Sequence, residues 1–239
     1  PSLRTVLTRT YRTKPEWFRE IAHRFSDDIV LYLTGEEGIA RTRIAFINNG
    51  TGAKELYITD YDGTNVRQIT RDKSITVSPA WLGDGQRIAF TSFRRGDPDL
   101  YQVNLGNGEI SVLSARAGPD MAPASSRDGQ RMAFAAIVGG NTEIFVADGQ
   151  GRGAQQVTHN SGIDTAPAWS PTGRELCFTS DRSGDPQVYI CDAEGGNVRR
   201  LTYDGRKNDS PDWSPDGRRI VYVSLQDPGF KIWSIGVDG

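Results

Sequence analysis

Apolar positions recur along this chain at a fixed interval of 44 residues. One aliphatic series keeps that interval and is expected to occupy equivalent buried positions: Ile44, Ile88, Met132, Leu176 and Ile220. Two aromatic series keep it as well: Phe46, Phe90, Phe134, Phe178 and Tyr222, and Tyr57, Tyr101, Phe145, Tyr189 and Trp233. Turn-forming residues follow the same spacing: Pro79, Pro123, Pro167 and Pro211, with Gly85, Gly129, Gly173 and Gly217. A spacing that does not drift indicates one structural unit repeated along the chain.

Each repeat has the pattern of four short strands. In the third repeat, residues 122–126 precede a turn at 127–130, and further strands are predicted at 131–136, 143–148 and 155–158. Alternating apolar residues with Gly, Asn and Asp at the joints are typical of strands and hairpins. Four strands in roughly 40 to 45 residues are typical of a β-propeller blade. The sequence therefore predicts a mainly β protein, a β-propeller with four-stranded blades of 44 residues, with a solenoid as the alternative.

The repeats predict a propeller that residues 43–239 leave incomplete, because they amount to about four and a half units of 44 residues. The four residues from Gly35 to Gly38 lack the proline-containing strand pattern that precedes the later repeats. The first blade is therefore expected to lack its own leading strand. In closed propellers such a strand comes from the far end of the chain, which here would lie beyond Gly239.

Residues 1–42 differ in kind from the repeats. Apolar residues recur at helical spacing between residues 14 and 33, and Gly35 is placed to end a helix there. Residues 13–16, Thr-Lys-Pro-Glu, fit a capping box at its start. Residues 3–10 alternate like a strand. We interpret residues 1–42 as the last strand and helix of a truncated α/β domain.

Composition excludes several classes of function. The chain has 28 basic and 30 acidic residues, a formal net charge of −2, and no clustered basic face for a nucleic acid. Its longest apolar run, from Met132 to Val138, is far shorter than the roughly 20 residues that cross a bilayer. Neither a nucleic-acid partner nor a membrane span is expected.

The sequence offers no set of catalytic groups. Only two histidines are present, His23 in the predicted helix and His159 in a loop, and no G-x-S-x-G turn follows a strand. Both are interpreted as surface residues, and no enzyme activity is expected. Cys177 and Cys191 take positions that are small or apolar in the other repeats, which favours core packing and leaves a disulfide across one hairpin open. Tryptophans in one register are expected to pack between blades: Trp81, Trp169 and Trp213.

The candidate site is a set of polar residues three positions before each proline: Thr76, Asp120, Asp164 and Asn208. In a propeller the loop that enters the innermost strand brings this position to one mouth of the channel. Two interpretations are open. The residues cap their own turns, or, together with Thr165 and Asp209, they bind a partner. Asp120, Asp164 and Asn208 are also a candidate ring for a hard cation such as Ca²⁺; no other metal site or cofactor is predicted.

The junction before the first repeat resembles a known family. The residues that carry the likeness are Ala22-His23-Arg24-Phe25-Ser26-Asp27-Asp28, Leu33-Thr34-Gly35 and Thr42-Arg43-Ile44-Ala45-Phe46, followed by repeats with Ser-Pro-Asp-Gly turns. Together they resemble the TolB family, the periplasmic propellers of the Tol-Pal system, over essentially the whole chain.

The resemblance implies an N-terminal α/β domain and a six-bladed propeller, of which about four and a half blades are present. It also implies a non-catalytic periplasmic scaffold that binds the peptidoglycan-associated lipoprotein Pal and supports cell-envelope integrity, protein transport and cell division. Family members contact TolA through an N-terminal segment that has no counterpart in this sequence. The alternative function is a propeller that binds a small ligand or a metal, such as the non-catalytic part of a peptidase.

Overall fold

The computed structural model describes residues 5, 7–12, 14–114 and 116–239. They divide into two compact units: unit 1 comprises Pro1–Phe46 and Tyr57–Gln68, and unit 2 comprises Ile47–Leu56 and Ile69–Gly239. Unit 1 contains the helical segment, and unit 2 contains four of the five sheets.

The predicted helix is present in unit 1. A 3-10 turn at Pro15–Trp17 leads into α1 at Phe18–Thr34. Gly35 ends the helix with φ 77°, and its N–H donates to the carbonyl oxygen of Leu31 at 2.9 Å. Of the predicted capping box, Thr13 lies outside the described residues, and Lys14 takes the N-cap position without a side-chain bond.

The strand predicted over residues 3–10 is absent from the residues of that range that the structure describes. Residues 3, 4 and 6 lie outside the described residues, and residues 5 and 7–10 form no strand. The alternation of apolar and polar residues there is a local signal, and a strand also needs a partner with which to pair.

The described residues form eighteen strands in five antiparallel sheets. The first and last sheets have three strands and the others have four, so the predicted half blade at the end has one strand more than expected. The strand bounds are β1 Arg43–Asn48, β2 Glu55–Asp60, β3 Arg67–Gln68, β4 Thr76–Trp81, β5 Arg87–Arg95, β6 Asp97–Asn104, β7 Ile110–Ser114, β8 Asp120–Ser125, β9 Arg131–Val138, β10 Asn141–Asp148, β11 Gln155–Gln156, β12 Asp164–Trp169, β13 Glu175–Ser180, β14 Gln187–Asp192, β15 Arg199–Arg200, β16 Lys207–Trp213, β17 Arg219–Leu225 and β18 Phe230–Gly236.

Sequential strands pair within each sheet, so β1–β3, β4–β7, β8–β11, β12–β15 and β16–β18 are the five blades. The first blade lacks a leading strand, as predicted. In unit 2 the leading strands β4, β8, β12 and β16 contact one another in that order.

The core of unit 2 lies between neighbouring blades. Three clusters of buried side chains each combine residues from two successive sheets. Met132, Leu176 and Ile220, which share one register, are fully buried against the preceding blade. Ile44, expected to be buried like them, is 46% exposed, because no sheet precedes β1–β3 in the described part of the chain.

Candidate partner-binding site

The leading strands of unit 2 line a groove of about 490 Å³, which we call the channel groove. Its wall repeats one short segment from each of four blades. The lining residues are Ser78, Pro79, Ala80 and Trp81; Ala122, Pro123, Ala124 and Ser125; Ala166, Pro167, Ala168 and Trp169; and Ser210, Pro211 and Asp212. The small side chains leave space beside the strands, and the prolines offer no N–H group to the groove.

A bulge interrupts each leading strand at its proline. The residue before the proline has φ between 49° and 53° at Ser78, Ala122, Ala166 and Ser210. This left-handed conformation is unfavourable for residues other than glycine. In two blades a threonine of the preceding blade stabilises it with a hydrogen bond. Thr91 Oγ1 accepts the N–H of Ala122 at 3.0 Å, and Thr179 Oγ1 accepts that of Ser210 at 3.1 Å.

The four predicted residues in one register lie at or next to the first residue of these strands, and all are buried: Thr76, Asp120, Asp164 and Asn208. Asp120 Oδ2 accepts bonds from Ser114 Oγ at 2.7 Å and from the N–H of Arg116 at 3.2 Å. Asp164 Oδ2 accepts bonds from Asn160 and from Arg182, both at 2.7 Å. Asp120 is therefore bonded to its own surroundings, whereas the buried Oδ1 of Asp164 has no hydrogen-bond partner among the described residues.

Asn208 and Thr76 are also turned inward. Asn208 Nδ2 donates to Gln187 Oε1 at 2.8 Å and to the carbonyl oxygen of Asp204 at 2.7 Å. The backbone N–H of Thr76 donates to the carbonyl oxygen of Lys54 at 2.9 Å, while its hydroxyl is buried. These contacts favour the turn-anchoring interpretation of the register. A partner-binding role for the four side chains stays a prediction.

The other two predicted residues are half-buried and more accessible. Asp209 Oδ1 accepts bonds from Thr179 Oγ1 at 3.0 Å and from the N–H of Ser210 at 2.7 Å, and Lys207 Nζ lies 3.6 Å from its Oδ2. Thr165 pairs with Thr179 across the β12–β13 ladder. Of the six residues, Thr165 and Asp209 are the ones a partner reaches without opening the strands.

The carboxylates of the predicted cation ring have arginine neighbours. Asp120 and Asp164 already face Arg116 and Arg182, at 3.7 and 2.7 Å. Within the described ranges no group of three His, Cys, Asp or Glu residues is placed to hold a metal ion. Ca²⁺ normally takes six to eight oxygen ligands, and a cation at Asp120, Asp164 and Asn208 stays a prediction.

An arginine above the paired aromatic rings is a feature that the sequence interpretation missed. Arg94 lies 4.5 Å from the ring centroid of Tyr101, and Arg182 lies 4.9 Å from that of Tyr189. In the intervening repeat Val138 stands at this position, and Arg116, from a different loop, lies 4.0 Å from the ring of Phe145. In the sequence, this arginine position was visible only as the spacing of Arg94 and Arg182, which lie two repeats apart.

Apolar residues are exposed at the same end of the blades. Ile75 and Ile163, one residue before β4 and β12, are 48% and 51% exposed. Ile137 and Val138, the last two residues of β9, are also exposed. Backbone bonds from Phe93 to Ile75, from Ile137 to Pro119 and from Asp181 to Ile163 place these segments at equivalent heights. We call Ile75, Ile137, Val138 and Ile163 the mouth surface.

The two cysteines fill the core, as predicted, and do not form a disulfide. Cys177 pairs with Ile190 and Cys191 pairs with Leu176 across the β13–β14 hairpin, so the two thiols point to opposite faces of the sheet. Both are free and buried. Burial raises the pKa of Cys191 to about 12 and raises that of Cys177 as well.

Two of the three tryptophans in this register pack between blades, as predicted. Trp169 and Trp213 belong to the clusters between successive blades, and the indole N–H of Trp169 donates to the carbonyl oxygen of Ala124 at 3.1 Å. Trp81 is half-buried and lines the channel groove.

Asp27, in unit 1, belongs to the sequence motif that carries the family resemblance, and its contacts explain why it is there. Asp27 is the buried residue of α1, and it accepts bonds from the N–H of Ala40 at 2.8 Å and from Arg41 Nε at 2.7 Å. A Cβ at Gly38 would overlap Asp27, so glycine is required there.

The two histidines differ from each other in their surroundings. His23, predicted on the helix surface, is largely covered: its Nδ1 lies 2.5 Å from the Ala40 carbonyl oxygen and its Nε2 lies 3.3 Å from Asp62. His159 is an exposed loop residue, as predicted.

No helix in the described ranges has the length and apolar character needed to cross a membrane. The model of the family described as the TolB beta propeller domain matches residues 31–239. Tol-Pal system protein TolB of Desulfosudis oleivorans is 46% identical over 83 residues, which is 35% of this chain and 19% of that protein. The protein of the same name from Geobacter metallireducens is 43% identical over 81 residues, 34% of this chain and 19% of that protein.

Among solved structures, TolB from Acinetobacter baumannii matches with a TM-score of 0.84 and 34% identity, over 95% of this chain and 58% of that one. The matched segments thus span about a fifth of the curated relatives and somewhat more than half of the Acinetobacter chain. Because the family match extends over most of the residues, the chain belongs to the TolB β-propeller family.

Proposed function

We propose that this protein is a non-catalytic, periplasmic component of the Tol-Pal system that binds the lipoprotein Pal and supports cell-envelope integrity and cell division. The observation that carries the proposal is the family match over residues 31–239, together with the similarity to the Acinetobacter protein named TolB. A further partner, TolA, would be contacted by a segment outside these residues.

The mouth surface is the part of unit 2 best suited to a protein partner. Its four apolar residues are between 36% and 51% exposed, and they lie at the end of the blades where Thr165 and Asp209 are accessible. Exposed apolar groups that lie together and are bordered by polar groups are typical of protein interfaces. Functional residues also tend to lie on loops that a rigid scaffold positions.

Calorimetric titration with purified Pal tests the proposal. Changing Ile163 to Asp places a charge in the mouth surface, and we expect it to weaken Pal binding at least tenfold, which corresponds to about 1.4 kcal/mol. Val198→Asp is the matched control, since Val198 is 41% exposed in the β14–β15 turn at the opposite end of the same blade.

The control variant should bind Pal like the wild type, and both variants should keep the circular dichroism of the wild type. Absence of Pal binding by the wild type would refute the proposed function. Equal binding by Ile163→Asp would refute the location of the interface.

A further inference from the structure

Two asparagines of this chain are followed directly by glycine: Asn49 by Gly50 and Asn107 by Gly108. Both pairs are exposed, in the connections β1–β2 and β6–β7. In such a pair the backbone nitrogen of the glycine can attack the side-chain carbonyl carbon of the asparagine, because glycine has no Cβ to hinder the approach. The contacts of each pair decide how readily this attack occurs in the folded protein.

The side chain of Asn107 is held by its own turn. Its Nδ2 donates to Glu109 Oε2 at 3.3 Å, and its Oδ1 accepts the backbone N–H of Glu109 at 3.0 Å. The N–H of Gly108 donates to the carbonyl oxygen of Asn104 at 2.8 Å, and Gly108 has φ 74°. Both reacting groups are therefore engaged in bonds of the turn, and the attack requires the turn to open.

The side chain of Asn49 is not held in this way. It is exposed, and it forms no hydrogen bond with the part of the chain that the structure describes. The N–H of Gly50 donates to Asn48 Oδ1 at 2.6 Å. Because Asn48 is exposed too, water readily replaces this bond. Asn49 therefore keeps the side-chain rotation that Asn107 has lost.

Asn49 also lines a cavity of about 590 Å³ whose charged lining residues are basic. They are Lys54 and Lys73, and the cavity lies where the β1–β2 connection approaches residues 73–75. The attacking nitrogen carries a negative charge once it has lost its proton. Positive neighbours favour such a charge and also favour an acidic product.

We propose that Asn49 is a site of spontaneous deamidation in the folded protein and that Asn107 is protected. The nitrogen of Gly50 loses its proton and forms a bond to Cγ of Asn49, while the Cγ–Nδ2 bond breaks and the amide group leaves with a proton as ammonia. The five-membered succinimide then takes up one water molecule. Opening at one carbonyl gives aspartate, and opening at the other gives isoaspartate.

The modification changes the protein next to the mouth surface. It adds a negative charge to a cavity that Ile75 of the mouth surface also lines. Isoaspartate in addition inserts a methylene group into the backbone of the β1–β2 connection. The reaction involves only Asn49, Gly50 and water, so it occurs whether or not the protein binds Pal.

Peptide mass spectrometry of the full chain during incubation at pH 8 tests the proposal. Deamidation is read from the mass change when the amide becomes a carboxylic acid, and isoaspartate is identified with isoaspartyl methyltransferase. We expect Asn49 to react roughly tenfold faster than Asn107, because the bonds of the Asn107 turn must break first. In denaturant, where both turns are open, the two asparagines should react at similar rates.

Three variants assign the difference to these contacts. Gly50→Ala should slow deamidation at Asn49 at least tenfold, since the added Cβ hinders the attack and would meet only the end of the exposed Asn48 side chain, at 3.0 Å. Thr51→Ala, in the same connection, is the matched control and should react like the wild type. Glu109→Ala removes the carboxylate bonded to Asn107 Nδ2 and should speed deamidation at Asn107. Circular dichroism should be unchanged in all three.

Equal rates at Asn49 and Asn107 in the folded protein would overturn the proposal. An unchanged rate at Asn49 in Gly50→Ala would do the same. If Asn107 still reacts more slowly in denaturant, the difference does not come from the folded turns, and the protective role of the Asn107 turn is refuted.

Discussion

The sheet β12–β15 and the sheet β16–β18 share one register and differ in which of their faces is buried. On the face toward the preceding sheet, Leu176 and its equivalent Ile220 are both fully buried. On the opposite face, Val188 is fully buried, whereas its equivalent Ile232 is 82% exposed. The difference shows that a blade supplies only half of each core cluster, and that burial depends on the neighbour.

The first prediction concerns a close approach between neighbouring blades. Gly195, in the β14–β15 turn, has φ 86°, and a Cβ there would overlap the carbonyl oxygen of Val157 in the preceding blade. We expect Gly195→Ala to lower the free energy of unfolding by about 3 kcal/mol, because strain and overlap add. Urea unfolding followed by tryptophan fluorescence measures it.

Gly184 is the matched control for that change. It has φ 107°, and a Cβ added there would meet no atom within 4 Å, so Gly184→Ala should cost about 1 kcal/mol from backbone strain alone. Equal losses in the two variants would show that contact between the blades does not limit this position.

The second prediction tests the two faces directly. Val188→Ala removes methyl groups from a buried cluster that contains Trp213 and Ile220 of the next sheet, and we expect a loss of about 2 kcal/mol. Ile232→Ala removes more atoms from the exposed equivalent and should cost less than about 0.5 kcal/mol. Chemical denaturation of both variants measures the difference. A larger loss at Ile232 would contradict the dependence on a neighbouring sheet.

The third prediction concerns pH and two carboxylates of the last sheet. Although Asp212 is exposed, nearby protein atoms desolvate its carboxyl group and raise its pKa in the folded state, so ionising it destabilises the fold as the pH rises above its unfolded value of about 3.9. Asp212→Asn should therefore raise the melting temperature at pH 7, and the gain should shrink as the pH falls toward 4.

Asp216 should behave in the opposite way. The hydroxyl of Ser214 and the N–H of Arg218 lower its pKa, so its ionised form stabilises the fold above its unfolded pKa. Asp216→Asn should lower the melting temperature at pH 7, and the loss should vanish in acid. Thermal melts of both variants between pH 3 and 7 give the two signs, and equal signs would refute the assignment.

The smallest effect is expected at the cysteines. Because burial raises the pKa of both thiols, neither should react with a disulfide reagent at pH 8 in the folded protein, and both should react in denaturant. Cys177→Ala, which introduces the residue found in three other repeats, should change the unfolding free energy by about 1 kcal/mol or less. Rapid labelling of the native protein would contradict the buried placement.

Much of the fold could be predicted from the spacing alone. The strands predicted for the third repeat correspond to β8, β9, β10 and β11, because period-two alternation and turn residues are local properties of the chain. The helix end at Gly35 followed from the left-handed conformation that glycine adopts readily. The predicted strand over residues 3–10 failed in its described part because pairing is not a local property.

The candidate site was harder to predict. The register of Thr76, Asp120, Asp164 and Asn208 was visible, but whether these side chains face the groove or the blade depends on the bulge next to each proline. Only the structure shows Asp164 bonded to Asn160 and Arg182.

The sequence by itself determined the repeat, the strand order within each blade and the membership of the family, because these depend on residue types at fixed intervals. Tertiary structure alone decided which equivalent positions are buried: Ile44 and Ile232 have the same residue type and register as buried counterparts and are exposed. It also decided that Cys177 and Cys191 lie on opposite faces. The physical reason is that burial and contact belong to pairs of blades, whereas the sequence repeat describes one blade at a time.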